Sequence, residues 1–92
     1  MKKRHSVYIL RCADGTFYTG YATDVMRRVA EHNGLIDSAA GRTAAARYTR
    51  GRRPVTLMYT EAHPTRSEAQ KREYAIKRMS KARKSALMNG LS

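Results

Sequence analysis

The chain has one cysteine, no tryptophan, one phenylalanine and two prolines, and only 7 of its 92 residues are acidic. A single thiol, Cys12, excludes an intramolecular disulfide framework and a zinc site built on cysteine pairs. No apolar run approaches the roughly 18 residues that a membrane helix needs. The start, Met1 to Arg4, is basic, but the apolar run behind it, Val7 to Leu10, is too short for the h-region of a signal peptide. A cytoplasmic setting and no membrane partner are the expectations. Repeats, low-complexity tracts and interdomain linkers are also missing. The 92 residues fit one domain, 1–92. A chain of this size buries about 60–65% of its unfolded surface, which suits one modest core.

The shortage of acids is the first functional clue. Nineteen lysines and arginines against seven acids give a net charge of +12. Such an excess favours a polyanionic partner, most often nucleic acid. A basic surface with no single partner is the bland alternative. An anionic membrane would want a basic amphipathic helix with large apolar residues opposite, of which the C-terminal segment is a weak version. Hydrophobic residues make up 41%, which argues against disorder.

Along the chain, Ser6 to Cys12 reads as a strand and Phe17 to Tyr21 as its return, joined at Asp14-Gly15. Thr23 or Asp24 caps a helix that runs to about Asn33 and stops at Gly34, with Val25 and Val29 marking its buried face. Residues 34–51 read poorly, with a short helix around the alanines near Gly41. Pro54 opens a strand over Val55 to Thr60. A helix over Glu68 to Met79 follows, capped by Ser67 or Thr65. Ser80 starts the last helix, Lys81 to Met88, closed by Asn89-Gly90. The expected fold is α/β in composition, of the α+β kind: a small three-stranded antiparallel sheet flanked by helices.

Tyrosine is the aromatic that the chain does use, with six copies. Tyr8 and Tyr18 fall on the two hairpin strands at nearly the same level, either as a packed cross-strand pair or as phenols converging beside Gly20, where a missing side chain would let a ligand backbone approach. Arg28 and His32 are four apart on the first helix, and a guanidinium suits a phosphodiester because its planar fork stays charged. Arg27 reads as solvated. Glu73 falls on the apolar stripe of Ala69 and Ile76, where a carboxylate needs an ion pair or a metal. Its competing roles are an ion pair with one of the arginines, or a ligand of Mg²⁺. Glu68 faces outward and suits the helix dipole.

Two basic groups flank these residues. Arg42, Arg47, Arg50, Arg52 and Arg53 occur with no acid between Ala39 and Pro54, and Lys77, Arg78, Lys81, Arg83 and Lys84 follow later. Phosphate contacts suit both groups. Tyr48 could stack on a base or pack locally. No element looks like a sequence-reading helix, so little base readout is expected.

Val7-Tyr8-Ile9, Tyr18-Thr19-Gly20, Arg28, His32 and Glu73 together resemble the GIY-YIG nuclease superfamily, over about Ser6 to Ala86. The stretch from Tyr48 to Val55, with Arg66 to Ala69 and Ala75 to Arg78, looks like its small stand-alone bacterial proteins. Ser6 and Thr19 depart from the motifs at structural positions, and residues 34–46 look longer than in the small relatives. The resemblance implies a divalent-metal-dependent endonuclease (phosphodiesterase), with DNA a more natural substrate than RNA and DNA repair or recombination as its setting. It implies catalytic roles for Tyr8, Tyr18, Arg28, His32 and Glu73, with Glu73 holding Mg²⁺ or Mn²⁺. Tyr8 is then the base, its phenolate favoured by Arg28 and the metal, and Tyr18 orients it. Gly20, Arg47, Tyr48, Arg50, Arg52, Arg53 and Lys77 are the expected nucleic-acid contacts. The rivals are a non-catalytic nucleic-acid-binding domain of the same fold and a subunit docking an acidic protein.

Overall fold

The computed structural model describes residues 4–35 and 49–90. Strand β1 spans His5–Arg11 and β2 spans Phe17–Ala22; helix α1 spans Val25–His32 and strand β3 spans Thr56–His63. Helices α2, Arg66–Lys77, and α3, Lys81–Met88, complete the described elements. The strands form one antiparallel sheet in the order β2-β1-β3.

The central strand is buried on both faces, which explains its unbroken apolar run. Tyr8 and Leu10 join Cys12, Ala22 and Val55 in one cluster, against which Val25 and Val29 of α1 pack. Val7 and Ile9 point the other way, onto Ala69 and Ile76 of α2 and outlying residues of α3. Alternation by two along β1 therefore feeds two thin cores. Strand β3 alternates between exposed and half-buried residues, as an edge strand does.

Asp14 accepts bonds from the backbone N–H and hydroxyl of Thr16, and Gly15 takes a φ of +84°. The Asp-Gly dipeptide thus makes the hairpin through its own side chain and its tolerance of positive φ. Asp24, not Thr23, caps α1 through Arg27 N–H, and Thr65, not Ser67, caps α2 through Glu68 N–H. Helix α2 accordingly starts and ends two residues before the predicted span. Strand β3 runs three residues beyond the expected end at Thr60, because pairing with β1 continues to His5 opposite His63. The last helix is as predicted, with Ser80 as cap.

The end of α1 is tied to the entry of β3. The Asn33 side-chain amide donates to Val55 O at 3.0 Å and accepts from Val55 N at 2.7 Å. One side chain thereby satisfies both backbone groups of a buried residue, as a neighbouring strand would. The predicted short helix near Gly41 and the expected contacts Arg47 and Tyr48 lie outside the described residues.

Candidate active site

Tyr8 stands at the centre of β1, opposite Gly20, while Tyr18 pairs with Leu10. The two tyrosines are thus diagonal neighbours, one pair out of level, with ring centroids 6.3 Å apart. The space above Gly20 belongs to Tyr8. A Cβ there would fall 2.5 Å from the phenol Cζ and 3.0 Å from a ring carbon of Tyr18. This corrects the expectation that Gly20 admits a ligand: it admits an aromatic ring of its own protein.

Helix α1 brings His32 against both rings, its centroid 6.1 Å from that of Tyr8 and 5.2 Å from that of Tyr18. Here the face marked by Val25 and Val29 packs on the core as expected, and two polar residues are buried more deeply. Val25 and Val29 are half-buried, and the buried residues of the helix are Glu31 and His32. His32 is in fact 2% exposed. Its Nε2 is 3.0 Å from Tyr8 Oη and its Nδ1 2.8 Å from Thr49 Oγ1. Burial, reinforced by the positive charge of Arg28, pushes the imidazole pKa down to about 4, against the smaller opposing effect of Glu31. The ring is neutral at pH 7. Of the two hydroxyls the phenol is the better donor, which assigns Tyr8 O–H to Nε2 and Nδ1–H to Thr49.

Tyr8 is 1% exposed, and burial, with the nearby Tyr18, pushes its phenol well above the ordinary value. Arg28 opposes this and does not prevail. Tyr18 is raised as well, by burial and then by the Glu73 carboxylate, again against Arg28. Arg28 thus favours the phenolate of Tyr8, as expected, but burial outweighs it. The protein by itself holds both phenols protonated, because desolvation outweighs one half-exposed guanidinium.

Glu73 lies half-buried on α2 between Ala69 and Ile76, as its stripe implied, and its charge reaches both tyrosines. Its partner is not an arginine. Lys77 Nζ stands 3.1 Å from Oε2, one turn along the helix. Lys77, an expected phosphate contact, is thus engaged as the counter-ion of Glu73 in this structure. Two of the expected arginine contacts are likewise engaged. Arg52 Nε binds Asp14 at 3.0 Å, and Arg53 Nε donates to His32 O at 2.6 Å with its guanidinium packed over Gly34. The acid absent from the arginine cluster in sequence comes from the hairpin turn. Arg50 is exposed.

Glu73 fits a hard divalent cation that keeps most of its water, since it is one carboxylate placed among groups suited to an anion. It does not fit zinc. Among the described residues no three His, Cys, Asp or Glu side chains are grouped to hold a metal. No helix among them is long and apolar enough to cross a membrane.

A family model described as the GIY-YIG catalytic domain matches residues 4–86, which takes in every residue of this cluster. The chain belongs to the GIY-YIG family. Its relatives in that family include a UPF0213 protein of Halobacterium salinarum, 58% identical over 90% of this chain and 97% of its own. A UPF0213 protein of Natronomonas pharaonis is 50% identical over 96% of this chain and 94% of its own. The GIY-YIG fold recurs in the solution structure of a UPF0213 protein from Bacillus halodurans. That structure is 45% identical, covers 94% of this chain and 83% of its own, and has a TM-score of 0.56.

Sequence reasoning missed Thr49, Glu31 and Tyr74. Thr49 carries no periodic signal and acquires its role only when the chain returns to α1. Glu31 is polar on a face marked by valines. Tyr74 is 63% exposed beside Glu73, with Arg78 5.4 Å from its ring centroid.

Proposed function

We propose that this protein is a divalent-metal-dependent endonuclease that hydrolyses phosphodiester bonds in nucleic acid, with weak sequence specificity. The observation that carries the reading is the convergence of Tyr8, Tyr18 and His32 in ring contact, with the charges of Arg28 and Glu73 both acting on the two phenols. Phenols, an imidazole, a guanidinium and a carboxylate make a general-base and anion-stabilising set. A DNA substrate and a role in DNA repair rest on the family resemblance alone, and a cytoplasmic setting on the sequence expectation.

The Tyr8–His32 bond answers the difficulty of a phenol that does not ionise. Tyr8 Oη takes a proton from the attacking water while its own proton passes to His32 Nε2. Nδ1–H keeps its bond to Thr49 throughout. The imidazole is neutral at pH 7 and so open to that proton. The entering phosphodiester brings the negative charge that favours a proton there. Arg28 stabilises the charge that builds on the phosphate oxygens, and Tyr18 orients the water. Glu73 would hold Mg²⁺ or Mn²⁺, whose contribution when bound is Lewis-acid stabilisation of the phosphate and the leaving oxygen. Tyr74 with Arg78, beside Glu73, supplies an exposed aromatic face for a base next to the cut.

One observation favours the rival reading, a binding domain without catalysis: Lys77 already neutralises Glu73. A cleavage assay decides between them. Labelled single-stranded, duplex and branched DNA and matching RNA are incubated with Mg²⁺, Mn²⁺ or EDTA, comparing wild type with Glu73→Gln. Metal-dependent cutting, lost in the variant while binding persists, establishes the nuclease. Binding without cutting under every metal condition establishes the binding domain.

A further inference from the structure

Glu31 is a buried carboxylate whose two oxygens are treated differently. It is 6% exposed, and an acid withdrawn that far from water needs compensation. Arg27 Nε donates to Oε1 at 3.4 Å, from a side chain that is 61% exposed. Arg28 Nε stands 3.5 Å from Oε2 as an ion pair, yet among the described residues Oε2 has no hydrogen-bond partner. Both arginines, with Glu31, Ala22, Thr23 and Asp24, line a cavity of about 170 Å³. There is room there for a guanidinium to shift.

A guanidinium has an inner N–H on Nε and an outer pair on its two terminal nitrogens. A carboxylate that takes the inner edge leaves the outer fork intact for two parallel bonds to a phosphate. Arg28 is the guanidinium whose charge acts on Tyr8, Tyr18 and His32. Its partner oxygen is buried, ion-paired at its inner edge and without a hydrogen bond among the described residues.

We propose that Glu31 is the positioning residue for Arg28: its Oε2 closes on Arg28 Nε when an anion enters, and turns the outer fork of that guanidinium toward the scissile phosphate. This deepens the nuclease reading and rests on it for the catalytic consequence, but not for the tether. Three residues along one helix place the pair, so the constraint is built into α1. Arg27 takes the other oxygen and keeps the acid neutralised while Oε2 stays open.

The tether is tested by nuclear magnetic resonance of the arginine Nε–H groups, with Arg28 assigned by the signal lost in Arg28→Lys. The probe is a single-stranded oligodeoxynucleotide in EDTA, so that nothing is cut. The Arg28 signal should slow its exchange with water by about tenfold or more as the oligonucleotide is added, and Glu31→Gln should remove that slowing. Should Glu31→Gln fail to fold, the same titration on Glu31→Asp reads the tether, with a partial loss expected. Cleavage then reads the consequence. Glu31→Gln should lower kcat by about tenfold or more with KM changed less, and in an Arg28→Ala background it should add less than about twofold. Slowing that persists in full in Glu31→Gln, no slowing in wild type, or multiplicative losses in the double variant would overturn the assignment. A wild type that never cuts sinks the nuclease reading instead, and the exchange measurement still decides the tether.

Discussion

Gly20 lies directly beneath the phenol of Tyr8, so that the empty side of one residue is the seat of the other. Because the strand pairing sets these two opposite each other, the phenol can stand only where no Cβ intervenes. Gly20→Ala should destabilise the protein by about 1–3 kcal/mol through overpacking, seen as a lowered Tm. It should also push Tyr8 off His32 and depress cleavage beyond what the stability loss accounts for. An alanine variant with wild-type Tm and activity would show that the ring moves aside freely.

Tyr8→Phe keeps the ring and removes the hydroxyl. In the relay described above, this deletes the group that takes the proton from water, so cleavage should fall by roughly 10²–10⁴-fold. It also strands the buried Nε2 of His32, at a cost of about 1–3 kcal/mol. Binding to an oligonucleotide in EDTA should be unchanged. The check is kcat and denaturant unfolding measured on the same preparation.

The pH dependence of stability has a definite sign. His32 has a folded pKa of about 4, below the ordinary 6.5, so the fold favours its neutral form. Its contribution is complete above pH 6.5 and is lost as the pH falls through that range toward 4. Tm should therefore decline over this window in wild type. His32→Gln should decline less steeply there, and equal slopes would mean that the imidazole is not held neutral by its surroundings.

Lys77 and a metal ion compete for Glu73 if that carboxylate is the ligand. Lys77→Gln should then reduce the Mg²⁺ needed for half-maximal cleavage by about two- to fivefold, because a partly exposed ion pair is a weak competitor. It should leave the salt dependence of binding nearly unchanged. A variant that needs more Mg²⁺, or that shows a shallower salt slope, would return Lys77 to the role of phosphate contact.

The parts of this molecule legible in sequence are those set by local chemistry. Asp14-Gly15, Asp24, Ser80 and the alternation from Val7 to Leu10 act within a few residues, and the elements follow from them. The stripe logic also placed Glu73 correctly, since Ala69 and Ile76 alone define that face. What the sequence hides is set by pairing at a distance. The end of β3 depends on His5, and Arg52 is matched by an acid 38 residues away. Helix α1 buries a histidine and a glutamate, and the histidine is received by Tyr8 and Thr49, both far away in sequence. No pattern of apolar spacing announces such a face.

The Asn33–Val55 pairing separates the geometry of the catalytic cluster from the stretch of chain between those two residues. Closing a loop costs only about 0.6 kcal/mol more for each doubling of its length. With its ends clamped by one amide, that stretch can change in length while His32 stays against Tyr8, provided the part that carries Thr49, Arg52 and Arg53 is kept. The fold thus behaves as a socket: Tyr8, Tyr18 and His32 are fixed on the sheet and α1, whatever the length of the segment between Asn33 and Val55.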